Sequence, residues 1–101
     1  MLVVAGHVRM NPAKVAEATE AANAVMEATR KETGCLSYTF SRDLSEDGLF
    51  HIFEEWESQA ALDAHFKAPH MATFQKAMGG FDVQEIKVNR YEVSQVDKLL
   101  G

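Results

Sequence analysis

Residues 34–70 read GCLSYTFSRDLSEDGLFHIFEEWESQAALDAHFKAPH, and this stretch decides the fold. Residues 35–43 and 49–57 are apolar and aromatic runs on either side of a polar connection that ends in Asp-Gly, which is the pattern of a β-hairpin. Ser58 is suited to cap a helix, and the apolar residues after it recur at helical spacing. The stretch therefore predicts strand, turn, strand and helix in that order.

The flanking segments complete a common arrangement. Residues 2–10 alternate as a strand does, and a helix is predicted from Asn11-Pro12 to about residue 32, before Gly34. Pro69 breaks or restarts the later helix, and residues 81–93 read as a fourth strand. The order β-α-β-β-α-β predicts the α+β class with a ferredoxin-like split βαβ fold, an antiparallel sheet with both helices on one face. We expect one domain over residues 1–93 and a tail over residues 94–101.

Composition narrows the possible partners. The net charge is −5 and the basic residues are scattered, which argues against binding to nucleic acid or to an anionic membrane. No apolar run approaches the ~20 residues of a membrane span. The single cysteine, Cys35, cannot form an intramolecular disulfide, and we interpret it as a small buried hydrophobic residue. These features favour a cytoplasmic protein.

The predicted sheet has too much apolar surface for one chain. Phe50, Ile52 and Trp56 point to one face of the third strand, whereas Leu49 and Phe53 point to the other. Two helices cover only one face, and a large uncovered apolar face is atypical of a monomer. We therefore expect a homodimer packed sheet to sheet through a two-fold axis, with the tail at the dimer interface.

Two segments carry a resemblance to a known family. ETGCLSYTF and LFHIFEEWESQAALDAHFKAPH, with E-x-W followed by A-H-x-x-x-x-H as their most specific part, resemble the antibiotic biosynthesis monooxygenase family. The resemblance extends over nearly the whole chain. It implies a dimeric α/β barrel built from ferredoxin-like chains. It also implies oxygenation of a small phenol, quinol or anthrone by O2 without flavin, haem or metal, and therefore no cofactor.

Other activities of the same superfamily are alternatives. The haem-degrading type has an Asn on the first strand and a Trp and a His in the second helical region. Here Gly6 and His7 lie on the first strand, and His65 and Gln75 occupy the two helical places, which argues against haem degradation. Isomerisation of a small sugar or ketone stays open, although no Arg/Lys cluster or Gly-rich phosphate loop supports a phosphorylated substrate. The third alternative is a non-catalytic dimer that binds a small molecule or is associated with a stress response.

His65 is the candidate base for cofactor-free oxygenation. The reaction needs a base for the substrate proton, stabilisation of the resulting anion and exclusion of water. An imidazole has a suitable proton affinity near neutral pH. By spacing alone, a boundary histidine bonded to a carbonyl or water explains His65 better, and it is the resemblance that favours the base.

Three residues near His65 complete the predicted catalytic set. Trp56 and Tyr38 would orient an aromatic ring, although each could equally be a packed aromatic residue of its strand. Glu54, on the Trp56 face, would support the network by orienting a histidine, or would pair with Arg9 or Arg90. The choice between Glu54 and Glu55 stays open. The other predicted pocket residues are His7, Arg9, Phe40, Phe53, Glu55, Phe66, His70, Met71, Phe74 and Met78.

The histidines do not predict a metal site. His65 and His70 are five residues apart with Pro69 between them, which does not align them on one helix face, and no further ligand is evident. We therefore expect no metal, separate roles for the two residues, and His70 at a helix start or pocket rim. His51 could lie in the pocket or at the dimer interface.

Overall fold

A computed structural model describes residues 1–101 as four strands and three helices. The elements are β1 (Leu2–Met10), α1 (Val15–Thr29), β2 (Cys35–Arg42), β3 (Leu49–Trp56), α2 (Gln59–Phe66), α3 (Pro69–Met78) and β4 (Val83–Glu92), with a 3₁₀ turn over Pro12–Lys14 before α1. The sheet is antiparallel in the order β2-β3-β1-β4. The ferredoxin-like α+β prediction is confirmed, and Pro69 restarts the second helical region as α3.

The centre of the sheet is the β1–β3 pair. Val8 lies opposite Phe50 and Val4 opposite Glu54 on the face that the helices cover. On its other side β1 pairs with β4, where Gly6 permits close approach. A Cβ at Gly6 would lie 2.0 Å from the Lys87 carbonyl oxygen, so only glycine lets β4 reach this register.

The helices cover one face of β1, β2 and β3, whereas Ile86 and Val88 of β4 stay exposed on that face. Ala18, Ala22 and Val25 form the buried face of α1. The other face of the sheet is uncovered. On the opposite face Phe53 and Tyr91 are 46% and 49% exposed. Uncovered aromatic residues at the centre and edge of this face are what the homodimer hypothesis requires, and the dimer stays a prediction.

Side-chain caps mark where the 3₁₀ turn before α1 and the helix α2 begin. The Asn11 Oδ1 accepts a hydrogen bond from the Ala13 N–H at 3.0 Å, and the Ser58 Oγ accepts one from the Ala61 N–H at 3.2 Å. Gly34 has a φ of 85°, as expected for the residue that ends the turn after α1. The helix itself ends at Thr29, earlier than predicted, which releases Glu32 into that turn.

Two details of the strands depart from simple alternation and from the predicted bounds. A register shift between Cys35 and Ser37 places Leu36 in a bulge, where it is 52% exposed, so it does not share the inner face with Tyr38. The fourth strand begins at Val83, after the buried Phe81.

No helix is both long and apolar enough to cross a membrane.

Candidate functional site

A cavity of about 430 Å³ lies between the helical layer and the inner face of the sheet. This volume is within the range of about 300–1,000 Å³ that small-molecule sites occupy. All four strands, α2 and α3 contribute to its mostly apolar wall. Its lining residues are Val4, Val8, Tyr38, Phe40, Ile52, Glu54, Phe66, Met71, Phe74, Gln75, Met78, Ile86 and Val88. The cavity therefore suits a small, mostly apolar ligand.

Glu54 is the carboxyl group of this cavity wall. It is only 7% exposed, and its Oε1 accepts a hydrogen bond from the Trp56 Nε1–H at 2.9 Å. Burial raises the pKa of Glu54 to about 7, the Trp56 hydrogen bond opposes this rise, and the charge of Glu32 adds to it. Both protonation states are therefore populated near neutral pH, and Glu54 can accept a proton from a bound hydroxyl group.

Tyr38 supplies the phenol of the cavity. Its ring meets those of Phe40 and Trp56 edge to face, with centroids 5.6 and 6.3 Å away. Burial, together with the charges of Glu54 and Glu32, raises the pKa of the Tyr38 hydroxyl far above its ordinary value. The Tyr38 hydroxyl therefore stays protonated near neutral pH.

His65 lies behind the cavity wall. The residue is 1% exposed, and its ring centroid is 4.9 Å from that of Trp56 and 5.2 Å from that of Tyr38. It does not line the cavity. Its Nδ1 lies 2.7 Å from Glu32 Oε2, and because a carboxylate only accepts, Nδ1–H is the donor. In the neutral imidazole this fixes the tautomer and leaves Nε2 unprotonated.

His70 converges on the same carboxylate. Its Nε2 lies 2.7 Å from Glu32 Oε2. His70 lies at a helix start, as predicted, but its imidazole shares one carboxylate with that of His65, although separate roles were expected for the two residues. Because α2 ends at Phe66 and α3 begins at Pro69, the spacing of the two histidines is not that of one continuous helix. Glu32 is a residue that the sequence analysis missed, since its partners lie 33 and 38 residues away and leave no local pattern.

Four predicted pocket residues lie on the opposite face of the sheet, and their placement in the pocket is corrected. His7 and Arg9 both pair with Glu85, and Arg9 also pairs with Glu46. The other two are Phe53 and Glu55. Side chains alternate along a strand, so residues next to inward-facing positions must point outward.

The same alternation settles the place of His51. Its Nε2 bonds to Asp43 Oδ1 at 2.8 Å, with both groups away from the cavity. Glu55 accepts a hydrogen bond from the Ser37 hydroxyl at 2.7 Å, so Glu54 is the glutamate that faces the cavity. Six cavity residues were missed, namely Val4, Val8, Ile52, Gln75, Ile86 and Val88. The inward alternation of β1 could have indicated the first two.

The arrangement combines an apolar cavity with one carboxyl group and one phenol. A planar hydroxylated ring can be held by the aromatic wall while its oxygen meets Glu54 or Tyr38. Burial also raises the pKa of the Cys35 thiol, aided by the charges of Glu32 and Glu54, which disfavours a nucleophilic thiolate. The site is therefore suited to moving a proton from a small aromatic molecule.

Comparisons with known proteins agree with this fold. The model of a family described as antibiotic biosynthesis monooxygenase matches residues 1–77. The uncharacterized protein sll1783 of Synechocystis sp. is 33% identical over 98 residues, which are 97% of this chain and 67% of that protein. The probable quinol monooxygenase YgiN of Escherichia coli (strain K12) is 35% identical over 66 residues, which are 57% of this chain and 62% of that protein. A crystal structure of a "putative antibiotic biosynthesis monooxygenase" from Deinococcus radiodurans matches with a TM-score of 0.92 and 29% identity, covering 100% of both chains.

Proposed function

Because the chain belongs to the antibiotic biosynthesis monooxygenase family, we propose that it oxygenates a small aromatic hydroxyl compound with O2. The substrate class is a quinol, phenol or anthrone bound in the cavity. The observation that carries the proposal is Glu54, a buried carboxyl with a pKa of about 7 in the wall of an apolar cavity of about 430 Å³. The name of the quinol monooxygenase relative supports the quinol class.

The proposed reaction begins with proton transfer. Glu54 takes the proton of the substrate hydroxyl, or of an activated C–H in an anthrone, and the electron-rich anion then passes an electron to O2. The two radicals combine to form a C–O bond, and the hydroperoxide loses water. One oxygen atom stays on the product, which has two hydrogens fewer than the substrate, and the other leaves as water. The substrate supplies every electron, so the balance needs no flavin or haem.

Two other side chains act on the same anion in this proposal. The Tyr38 hydroxyl, kept protonated by its raised pKa, donates a hydrogen bond to the substrate oxyanion. The rings of Phe40 and Phe74, whose centroids are 5.3 Å apart, lie along the wall against which the substrate ring packs. They exclude the water that would compete for the anion.

This assignment moves the base from His65 to Glu54. The sequence favoured His65, but that residue lies behind Tyr38 and Trp56, whereas Glu54 lines the cavity. His65 is then a positioning residue, because its ring packs against the Trp56 that donates to Glu54. Its loss would disturb the base without removing it.

The assembly and compartment are also part of the proposal. Packing of two chains through the outer sheet face would cover Phe53 and Tyr91, and Val96, Leu99 and Leu100 of the tail are exposed and free to reach a partner. We expect a homodimer for this reason. Cytoplasmic location stays a prediction from the single free cysteine.

Oxygen uptake tests the proposed function. Purified protein is mixed with a panel of hydroquinones and anthrones, and O2 consumption and product are followed together. We expect turnover by wild type, a loss of about a hundredfold or more in Glu54→Gln, and near wild-type rates in the matched variant Glu55→Gln, whose side chain faces outward.

The other outcomes separate the alternatives. Product formation at the same rate without O2 would indicate an isomerase. Binding of panel members with no turnover would indicate a non-catalytic binding protein. Equal rates in wild type and Glu54→Gln would exclude Glu54 as the base.

A further inference from the structure

Outside the aromatic cavity, three side chains with metal-ligating atoms converge on one point. Glu32 Oε2 lies 2.7 Å from His65 Nδ1 and 2.7 Å from His70 Nε2. One ligand atom from each residue lies within 4.8 Å of the other two. None of the three residues lines the cavity that holds the proposed oxygenation site. The cluster therefore lies apart from that cavity, and the proposed function uses only the packing of the His65 ring against Trp56, not the three ligand atoms.

Three short segments hold these side chains in place. His65 belongs to the last turn of α2 and His70 to the first turn of α3. Glu32 lies in the turn after α1, where its N–H donates to the Thr29 carbonyl at 2.9 Å and its own carbonyl accepts from the Cys35 N–H at 3.2 Å. Because the ring of His65 is 1% exposed between Trp56 and Tyr38, its Nδ1 cannot turn away. The ligand atoms are thus preorganised by the fold.

We propose that Glu32, His65 and His70 form a binding site for a divalent transition-metal ion, with Zn²⁺ as the reference ion. Two imidazole nitrogens and one carboxylate oxygen are a ligand set that suits Zn²⁺ and its neighbours, and a poor set for Ca²⁺ or Mg²⁺. Three protein ligands leave a fourth position for water. In the sequence, the two histidines have no evident third ligand and therefore did not predict a metal site. The fold supplies the third ligand, Glu32, from the turn after α1.

The exposed side of the cluster gives an ion a route to the site. The side chains of Glu32 and His70 are 15% and 26% exposed, whereas that of His65 is 1% exposed. His70 also borders a surface groove of about 170 Å³ that Ala21, Thr73 and Ala77 help to line. An ion from solvent therefore meets Glu32 and His70 before it meets His65.

Binding requires only a small rearrangement. With Zn–N and Zn–O bonds of about 2.0–2.1 Å, neighbouring ligand atoms of a tetrahedral site lie roughly 3.3 Å apart. The two nitrogen–oxygen separations must therefore open from 2.7 Å, and the partly exposed Glu32 and His70 are the side chains that can move. In each neutral imidazole the proton transfers to the other ring nitrogen, so the ion replaces two hydrogen bonds with three coordination bonds.

The consequence for the protein is a link between three segments. A bound ion would join the turn before β2 to the end of α2 and to the start of α3. Lys67 and Ala68 connect these two helices. Since the ligand atoms do not converge in an unfolded chain, binding favours the folded state and raises the melting temperature.

The test uses protein without a histidine tag, stripped with a chelator and dialysed into a non-coordinating buffer. Zn²⁺ is titrated by calorimetry, and Co²⁺ is used to read the coordination number from its visible spectrum. We expect one equivalent per chain, four-coordinate Co²⁺, a higher melting temperature with Zn²⁺, and a loss of affinity of about tenfold or more in both Glu32→Gln and His70→Gln. The control is His51→Gln, which removes an imidazole bonded to a surface carboxylate and should bind as wild type does.

Three results would overturn the proposal. The first is the absence of saturable binding to folded wild type at millimolar Zn²⁺. The second is unchanged affinity in Glu32→Gln or His70→Gln, with folding checked by circular dichroism. The third is equal loss in His51→Gln, which would indicate scattered surface binding. Oxygenation activity enters none of these readouts, so the failure of this proposal and that of the proposed function are distinguishable.

Discussion

Replacing Glu54 with glutamine should change the stability of the protein in a pH-dependent way. The free energy of unfolding of Glu54→Gln, compared with that of wild type at the same pH, should rise as the pH rises. Glutamine keeps the size of the side chain and an oxygen that can accept from the Trp56 Nε1–H, but it cannot ionise. The pKa of Glu54 is raised from 4.5 to about 7 by burial in the cavity wall. The substitution therefore isolates the energetic effect of one buried carboxyl group.

The magnitude follows from this rise. Because the pKa of Glu54 is higher in the folded than in the unfolded chain, the folded state binds this proton more tightly. The carboxyl group thus favours folding below about pH 4.5, and this contribution is lost as the pH rises to about 7. One pKa unit is worth about 1.36 kcal/mol, so the loss is about 3 kcal/mol. Glu54→Gln has no such loss, and all other titrating groups cancel in the comparison.

The assay is urea unfolding of wild type and Glu54→Gln at a series of pH values and one protein concentration. The free energy of unfolding of the variant minus that of wild type should rise by about 3 kcal/mol between pH 4.5 and pH 8. The matched control Glu55→Gln removes a carboxylate from the outer face of the same strand and should not reproduce this rise. A difference for Glu54→Gln that stays constant across this range would refute the buried, proton-binding carboxyl group.

Three further predictions test the fold and the assembly. Gly6→Ala places a Cβ 2.0 Å from the Lys87 carbonyl oxygen, so it should displace β4 and destabilise the protein by roughly 1–3 kcal/mol; an unchanged melting temperature would contradict the β1–β4 register. Ser58→Ala removes the hydroxyl that caps α2 at the Ala61 N–H and should cost about 1 kcal/mol in urea unfolding, whereas no loss would mean that water replaces the cap. Phe53→Lys puts a charge at the centre of the uncovered sheet face and should halve the sedimentation mass of the proposed dimer while circular dichroism is unchanged; a mass that does not change would place the dimer elsewhere.

The sequence was sufficient for the parts of the fold that depend on local patterns. Alternation along the strands and the Asp-Gly turn predicted the element order. The caps Asn11 and Ser58 predicted where the first helical segment and α2 begin, and Pro69 indicated the restart at α3. Alternation also placed Glu54 and Trp56 on one face of β3, where the structure has them hydrogen-bonded.

The features that depend on contacts between distant segments could not be predicted in this way. Leu36 leaves the inner face because of a bulge, which no periodicity reveals. Glu32 contacts His65 and His70 only because α1 ends at Thr29 and because the second helical region is interrupted between α2 and α3. Alternation puts His7 and Arg9 on one face of β1, but only the packing of the helices decides which face carries the cavity.

The central claim is that this chain transfers one atom of O2 to an aromatic substrate held beside Glu54. Its most direct test is turnover of a hydroquinone or anthrone under ¹⁸O2 in ordinary water, with prompt mass spectrometry of the product. Each product molecule formed by wild type should contain one ¹⁸O atom, and Glu54→Gln should form almost no labelled product at neutral pH. An enzymatic product that carries no ¹⁸O would contradict the central claim.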